Sequence, residues 1–429
     1  MILPLTKNTD PVWKKKFENV AKITPEIRKL INEMKETLEF VGGGVGLAAP
    51  QVGSPLRLFI VDYLNFKEVF VNPELRVLSK ELIENEEGCF SVPGFRGVVP
   101  RSKRVEIKYL NLQGEKKKLT ASGFLARILQ HEYDHLSSTF YFQRIIDKKQ
   151  LFQIRPIKIV FFGTPPFSVT ILRKLIGNTI VGDLQLSLVV TSPDKQSGRN
   201  QKPTPSPVKE LALKYNLKVE TPENLKDKSF ISSLSSLTPD LIVLASYGKI
   251  VPKEILDIPK FGSLNVHPSL LPKYRGPSPI QTAILNGDEG TGVSIMLMED
   301  KVDSGPILAQ VRIKISENDT YETLSKKLSE QSGRFLVDTI YLYLGKRVKP
   351  ESQDESQATY TKLIKKEDGF IDLAKPPKKE VLERMTRAYY PWPGVWTRLP
   401  ATDGAAYGGQ AKHQGKILKF LPDRKVQLE

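Results

Sequence analysis

The hydrophobic pattern of this chain changes character near Pro156, and one fold does not accommodate both patterns. Before that point, Thr24 can cap a helix, Pro25 suits its first position, and Ile27, Leu30, Ile31, Met34 and Leu38 recur at helical spacing. Short strand-like runs follow: RLFIVD from Arg57, VFVN from Val69 and RVEIKYL from Arg104, the last ending in the turn-like NLQGEK. A second helix is predicted from about Ser122 to Leu136. This order predicts an α+β domain over residues 1–150. After Pro156 the runs IKIVFFG, LSLVVT, DLIVLAS and GSLNVH are separated by helical stretches. That βαβ alternation predicts an α/β domain over residues 156–345 with a Rossmann-like parallel sheet covered by helices.

The joint Asp147–Pro156 is too short for a flexible tether and reads as a direct fusion. A second boundary falls at KRVKPESQDESQ (Lys346–Gln357), which is polar and follows a predicted helix from about Thr320 to Leu344. Beyond it lies a small third unit, residues 358–429, with PWPGVW and the Gly/Ala-rich TDGAAYGGQ. At 429 residues the chain has material for several separate cores. Its 40% hydrophobic and 26% charged residues exclude a disordered chain.

No run approaches the ~18 apolar residues of a membrane span. The opening MILPLTKNTD has no long apolar segment of the secretory kind. The single cysteine, Cys89, excludes a disulfide scaffold. A cytoplasmic protein without membrane attachment is expected. The net charge is +16, and residues 1–150 hold 24 Lys and Arg against 18 Asp and Glu, so the excess is spread along the chain. A diffuse basic surface suits polyanions such as RNA, and equally suits an ordinary basic protein.

There are four histidines, and His131, His135 and His267 lie with Cys89 inside compact motifs, while His413 sits in a polar loop with no assigned role. HEYDH (His131–His135) falls in the second predicted helix, where residues i and i+4 share a face and can reach one metal ion. Glu132 sits beside the first ligand and can act as general base on a water that the metal activates. Cys89 in EGCFS is the candidate third ligand. A thiolate with two imidazoles leaves a position open, the layout of a catalytic centre. GVGLAAPQ (Gly44–Gln51) lacks the Lys-Ser/Thr of a phosphate loop. Its small residues allow close backbone approach, and Gln51 brings an amide donor that can polarise a carbonyl.

With GVGLAAPQ, EGCFS and QHEYDH (Gln130–His135) in this order, residues 1–150 resemble the peptide deformylases. The resemblance implies that Cys89, His131 and His135 hold the metal and that Glu132 is the base. It also implies that Gln51 and the backbone N–H of Phe90 stabilise the oxyanion formed on the formyl carbon. The family's metal is typically ferrous iron, with zinc or nickel as replacements, and a Cys/His/His set suits all three. Phe90 stands where leucine is usual and Ser138 where glycine often follows HEYDHL. Neither departure removes a chemical group.

In the second region, SLNVHPSLLPKYRGPSPI begins at Ser263. Residues two apart in a strand face one side, so Asn265 and His267 project together, and Pro268 ends the strand. Parallel sheets place their sites beyond the carboxyl ends of their strands, where this pair sits. Asp303 follows in MLMEDKVDSGPI. An amide, an imidazole and a carboxylate suit attack of an amine on a formyl carbon. Asn265 would hold the oxyanion, His267 would stabilise it or shuttle the proton, and Asp303 would orient the group or relay the proton.

NxH, SLLPKYRG and a distant DSG together resemble the formyltransferases that use 10-formyltetrahydrofolate, and most closely the methionyl-tRNA formyltransferases. The match begins at IKIVFFGTPPFSVTILRKL (Ile157–Leu175) and continues through TSPDKQSGRNQKPTPSPVKELA (Thr191–Ala212) and YGKIVP (Tyr247–Pro252) to YYPWPGVWT (Tyr389–Thr397). The resemblance implies donor contacts at Ser269, Leu270, Leu271 and Pro272. It also implies that the basic loop with Lys195, Arg199 and Lys202 enters beside the tRNA acceptor stem, a composition that a solvated surface loop would share. The third unit is expected to be a small β-barrel like an oligonucleotide-binding fold, cut short at FLPDRKVQLE. Trp392 and Trp396 are expected in its core, with base stacking as the alternative.

The expected reading is a bifunctional enzyme. One half deformylates N-formylmethionyl nascent peptides, at the ribosome, and the other formylates initiator Met-tRNA. A ribosome- or RNA-binding adaptor with one or both sites inactive is one alternative. A second half acting on a sugar nucleotide or a purine precursor is another.

Overall fold

The computed structural model describes residues 1–429 except 181, 198–201, 399–416, 424 and 429. It divides into two compact units, Met1–Lys158 with Arg173–Leu186, and Ile159–Leu172 with Ser187–Glu429. Among the described residues no helix is long and apolar enough to cross a membrane.

In the first unit, helix α1 (Pro25–Val41) starts where the sequence places it, with the Thr24 hydroxyl accepting from the Ile27 N–H at 3.5 Å. It buries Ile31, Met34 and Leu38, which fall on one helical face. Strands β1 (Gly46–Ala48), β2 (Leu58–Tyr63), β3 (Phe66–Val77), β4 (Leu82–Glu87), β5 (Phe95–Ser102), β6 (Arg104–Leu110) and β7 (Lys116–Ser122) follow. Helix α2 (Gly123–His135) and strand β8 (Leu151–Gln153) complete the α+β pattern. Five strands form one antiparallel sheet in the order β1-β2-β3-β6-β7, and β4-β5-β8 form another. The NLQGEK turn closes as expected, with Gly114 N–H donating to Asn111 O at 2.9 Å.

Alternation fixes the core of this unit. Val105, Ile107 and Tyr109 point inward with Phe59, Val61 and Phe70, and Ala126, Ile128 and Leu129 of α2 pack on them. Strand β8 is a difference from the sequence reading. The stretch that reads as a bare joint pairs with β5, Phe95 opposite Gln153 and Gly97 opposite Leu151. Three residues are too few for alternation to reveal a strand.

After β8 come strand β9 (Ile157–Gly163), helix α3 (Pro166–Thr179) and strand β10 (Leu184–Val190), of which Ile157, Lys158 and Arg173–Leu186 fall in the first unit and the rest in the second. A two-stranded ribbon of β11 (Lys195–Ser197) and β12 (Lys202–Thr204) interrupts the alternation. Then come α4 (Pro207–Lys214), β13 (Val219–Glu220), α5 (Lys228–Ser236), β14 (Leu241–Ala245), α6 (Lys253–Leu256), β15 (Ser263–His267) and α7 (Pro279–Asn286). Strands β16 (Gly290–Leu297) and β17 (Ile307–Lys314) form a hairpin, and α8 (Tyr321–Leu344) starts at Thr320, whose hydroxyl accepts from Thr323 N–H. The sheet order is β13-β10-β9-β14-β15-β16-β17.

The expectation of a parallel sheet is corrected here. The pairs β9–β14, β14–β15 and β10–β13 are parallel, but β15–β16 and β16–β17 are antiparallel, so the sheet is mixed. The physical reason is the hairpin after α7, whose last strand alternates half-buried and exposed residues from Ala309 to Lys314, as an edge strand does. Asp303 therefore comes from the hairpin connection and not from a βα crossover. Chain order reverses beside β9: the strands that follow it lie first on one flank, at β10 and β13, and then on the other, at β14 and β15. Such a reversal opens a crevice at the strands' carboxyl ends. Val160, Phe162, Leu188, Val190, Ile242 and Leu244 form the core beneath it.

The remainder holds α9 (Lys379–Ala388) and a three-stranded antiparallel sheet of β18 (Val395–Arg398), β19 (Ile417–Phe420) and β20 (Val426–Leu428). TDGAAYGGQ and His413 lie outside the described residues. The expectation of a core role for Trp392 is corrected: its side chain is 58% exposed. Trp396 is half-buried, meeting the Phe370 ring at 5.0 Å and lying under the Lys366 ammonium.

Candidate active sites

The first site forms where α2 crosses the end of β4. His131 and His135 lie one turn apart on α2, and their ring centroids are 4.8 Å apart. Cys89 follows β4, and its Sγ lies 3.3 Å from His135 Nε2. One ligand atom from each of Cys89, His131 and His135 falls within 4.8 Å of the others. Two donors point at the cysteine sulfur, Ser91 N–H at 3.4 Å and the Gln51 amide at 3.5 Å, as suits a thiolate. Gln51 is itself oriented by the Ala48 N–H, which donates to its Oε1 at 2.8 Å.

These residues fit a divalent metal. His131 Nδ1 donates to Glu87 Oε2 at 2.9 Å, which leaves Nε2 as the ligating nitrogen. Burial would lower the His131 pKa, but Cys89 and Glu87 beside it raise it above its usual value. Burial pulls the His135 imidazole well below its usual value, which keeps a nitrogen lone pair available. Burial pushes Glu132 up to about 7, and its Oε2 has no hydrogen-bond partner among the described residues. A carboxylate poised in that way can take and return a proton. Gly46 makes room for it: a Cβ there would stand 2.5 Å from Glu132 Oε1.

Sequence reasoning missed the buried charge network beneath the ligands. Arg101 makes paired hydrogen bonds to Glu87, each at 2.9 Å, and one to Asp134 at 2.6 Å. Arg127 reaches the same Glu87 at 2.7 Å, and Arg144 reaches Asp134 at 2.7 Å. Burial would raise the Glu87 pKa, but His131 and Arg101 hold it well below the usual carboxylate range. The available signal was Asp134 between the two histidines, with Gln130 and Arg127 one and two turns before it on the same helix face. Its partners lie 10 and 33 residues away, beyond any local pattern. Removing one partner of a buried pair leaves an uncompensated charge, at about 3–5 kcal/mol. Arg101→Leu is accordingly expected to destabilise the first unit by about 3 kcal/mol, read as a lower urea midpoint.

The second site lies at the carboxyl end of β15. Asn265 and His267 project to one side, as their spacing requires, and Asp303 meets them from the β16–β17 connection. Asn265 Nδ2 donates to Asp303 Oδ1 at 3.1 Å, using one of its two N–H groups. His267 Nδ1 lies 3.5 Å from Asp303 Oδ2, and Nε2 lies 2.9 Å from the Tyr274 carbonyl oxygen. Gly276 N–H donates to Asp303 Oδ2 at 2.8 Å. His267 is 4% exposed, and both its ring nitrogens face oxygen acceptors. Such a pair orients an imidazole for proton transfer.

The other site residues are placed differently. Ser269 is buried with its hydroxyl donated to Lys273 O at 2.6 Å, and Leu271 is buried, whereas Leu270 and Pro272 are half-exposed. Lys195 is exposed on the ribbon, where Ser197 pairs with Lys202. Arg199 lies outside the described residues.

One unit thus brings together a Cys/His/His cluster that could hold a metal ion, and the other an amide, an imidazole and a carboxylate. Residues 2–151 match the family model described as polypeptide deformylase, and residues 157–340 match that described as formyl transferase. The methionyl-tRNA formyltransferase of Roseiflexus castenholzii is 44% identical over 241 residues, which cover 56% of this chain and 75% of that protein. That of Bacillus licheniformis is 46% identical over 244 residues, with coverage of 56% and 75%. The solved peptide deformylase of Thermotoga maritima is 37% identical, covering 34% of this chain and 99% of its own, with a TM-score of 0.33. The chain belongs to the methionyl-tRNA formyltransferase family and carries a peptide deformylase ahead of that part, so two enzymes share one polypeptide.

Proposed function

We propose that residues 1–150 deformylate N-formylmethionyl nascent peptides at the ribosome, and that residues 156–345 carry formyl from 10-formyltetrahydrofolate to initiator Met-tRNA, both in the cytoplasm. In the first reaction Cys89, His131 and His135 hold the metal, with ferrous iron the proposed native ion and zinc or nickel its replacements. The ion, when bound, polarises the formyl oxygen and acidifies a water. Glu132 takes the proton of the attacking water and returns it to the departing amine. The Gln51 amide and the Phe90 N–H receive the developing negative charge.

In the second reaction Ser269, Leu270, Leu271 and Pro272 line the donor. The free N–H of Asn265 receives the oxyanion. Asp303 orients His267, and His267 carries the proton from the attacking α-amino group. Residues 358–429 are proposed as an oligonucleotide-binding-type unit that engages the tRNA, with Lys195, Arg199 and Lys202 on its phosphates.

The observation that supports this reading best is the meeting of Asn265, His267 and Asp303 within 3.5 Å in a unit separate from the Cys/His/His cluster. The test is one preparation assayed for both reactions with and without a chelator. Formate release from an N-formylmethionyl peptide is expected to vanish on chelation. Transfer of labelled formyl to Met-tRNA is expected to persist and to exceed transfer to amino sugar nucleotides or purine precursors. Loss of both activities on chelation, or of neither, refutes the assignment.

A further inference from the structure

The stretch KRVKPESQDESQ and the residues after it read as a polar linker, yet part of this segment is strapped across the formyl-transfer site. The anchor is Arg275, a charged side chain only 1% exposed. Its guanidinium makes paired hydrogen bonds to Glu355 at 2.7 and 3.0 Å, reaches Gln353 Oε1 at 2.9 and 3.1 Å, and meets the Tyr360 hydroxyl at 3.1 Å. Its backbone joins the same segment, with Arg275 N–H donating to Thr359 O at 2.8 Å and Thr361 N–H to Arg275 O at 2.7 Å. Every donor direction of this arginine that the strap can reach is used by it.

The strap also meets the backbone at the two points that hold the reactive pair. Tyr274, whose carbonyl accepts from His267, has a left-handed backbone, φ 64°. Its N–H donates to the Thr359 hydroxyl at 2.8 Å. Asp303 is likewise left-handed, φ 51°, and Gln353 Nε2 donates to its carbonyl at 2.9 Å and to that of Gly305 at 2.7 Å. Non-glycine residues rarely adopt this conformation and keep it only where their surroundings over-determine it. Between the two points Gly276, at φ 103°, supplies the N–H that Asp303 accepts. Gln353 therefore acts with both ends, its oxygen on Arg275 and its amide on the backbone that carries Asp303.

We propose that Arg275 and Gln353 are positioning residues for formyl transfer, and that the linker segment 353–361 is a working part of that site. The strap holds His267 and Asp303 in register with Asn265, and touches no reacting atom itself. This rests on the reading of His267 and Asp303 as the reactive groups. It predicts a loss in rate rather than in binding, because near-attack geometry is sensitive to displacements far smaller than those that disturb substrate affinity.

The experiment uses the full chain with Gln353→Ala, Glu355→Gln and Arg275→Lys, and Asp303→Asn beside them. Gln353 is half-buried and Glu355 is 69% exposed, so both variants are expected to melt near the parent temperature. Gln353→Ala is expected to lower kcat for formyl transfer about tenfold, with KM for Met-tRNA and for the donor changed less than about twofold. Glu355→Gln is expected to show a smaller loss of the same kind. Arg275→Lys keeps the charge but not the planar fork, and is expected to lose at least as much as Gln353→Ala. An unchanged kcat in folded Gln353→Ala overturns the proposal, as does a raised KM with kcat intact, which would make the strap a binding surface. Full activity in Asp303→Asn would instead refute the reading of the reactive pair, and the proposal with it.

Discussion

Glu132→Gln is expected to keep its metal and lose deformylation by roughly 10²–10⁴-fold, the range over which a positioned general base acts. The substitution preserves shape and leaves Cys89, His131 and His135 untouched, so elemental analysis should still find one divalent ion per chain. His135→Ala separates the two roles. It removes a ligand from a three-ligand set and is expected to lose both the metal and the activity. Formyl transfer should be unchanged in both variants, which also controls for misfolding of the whole chain. A Glu132→Gln protein with parental activity would place the base elsewhere. Full metal content in His135→Ala would undo the ligand assignment.

The second large effect concerns formyl transfer. His267→Ala is expected to lower its kcat by about 10²–10³-fold, and Asn265→Ala by a similar factor, as removal of an oxyanion donor does. Neither residue is proposed to touch phosphate, so tRNA binding and its salt dependence should stay as in the parent. Neutralising Lys195, Arg199 and Lys202 is expected to do the reverse. Binding should weaken and its salt slope should fall by about one unit per lost phosphate contact. Saturating tRNA should then recover most of the turnover. Binding measured against salt for His267→Ala and for Arg199→Ala distinguishes the two. A salt-dependent binding defect in the histidine variant alone would reverse the roles.

Much of both sites was legible because their key residues lie in short patterns whose geometry is local. Two histidines four apart on a helix share a face whatever the helix packs against. Asn265 and His267, two apart in a strand, share a side for the same kind of reason. The capped start of α1 and the alternation of β6 were readable because each depends on neighbours within a few residues. What escaped were features that depend on distant partners. Strand β8 is a strand only because β5 offers it an edge. The exposure of Trp392 follows from how its segment is laid down, which composition does not encode.

The sequence by itself thus determined the chemical groups, their local spacing, the change of fold near Pro156 and the families to which the two halves belong. Tertiary structure decided what those groups rest on. Glu87 and Asp134 meet Arg101 across 14 and 33 residues, and through Glu87 that buried network orients His131. An antiparallel hairpin, and not a further parallel crossover, delivers Asp303 to His267 across 36 residues of chain. Arg275 joins the linker at Glu355, 80 residues away. A charge buried in a low-dielectric interior must find its partner wherever the fold places one. Sequence distance carries no record of that choice, because it is made by packing.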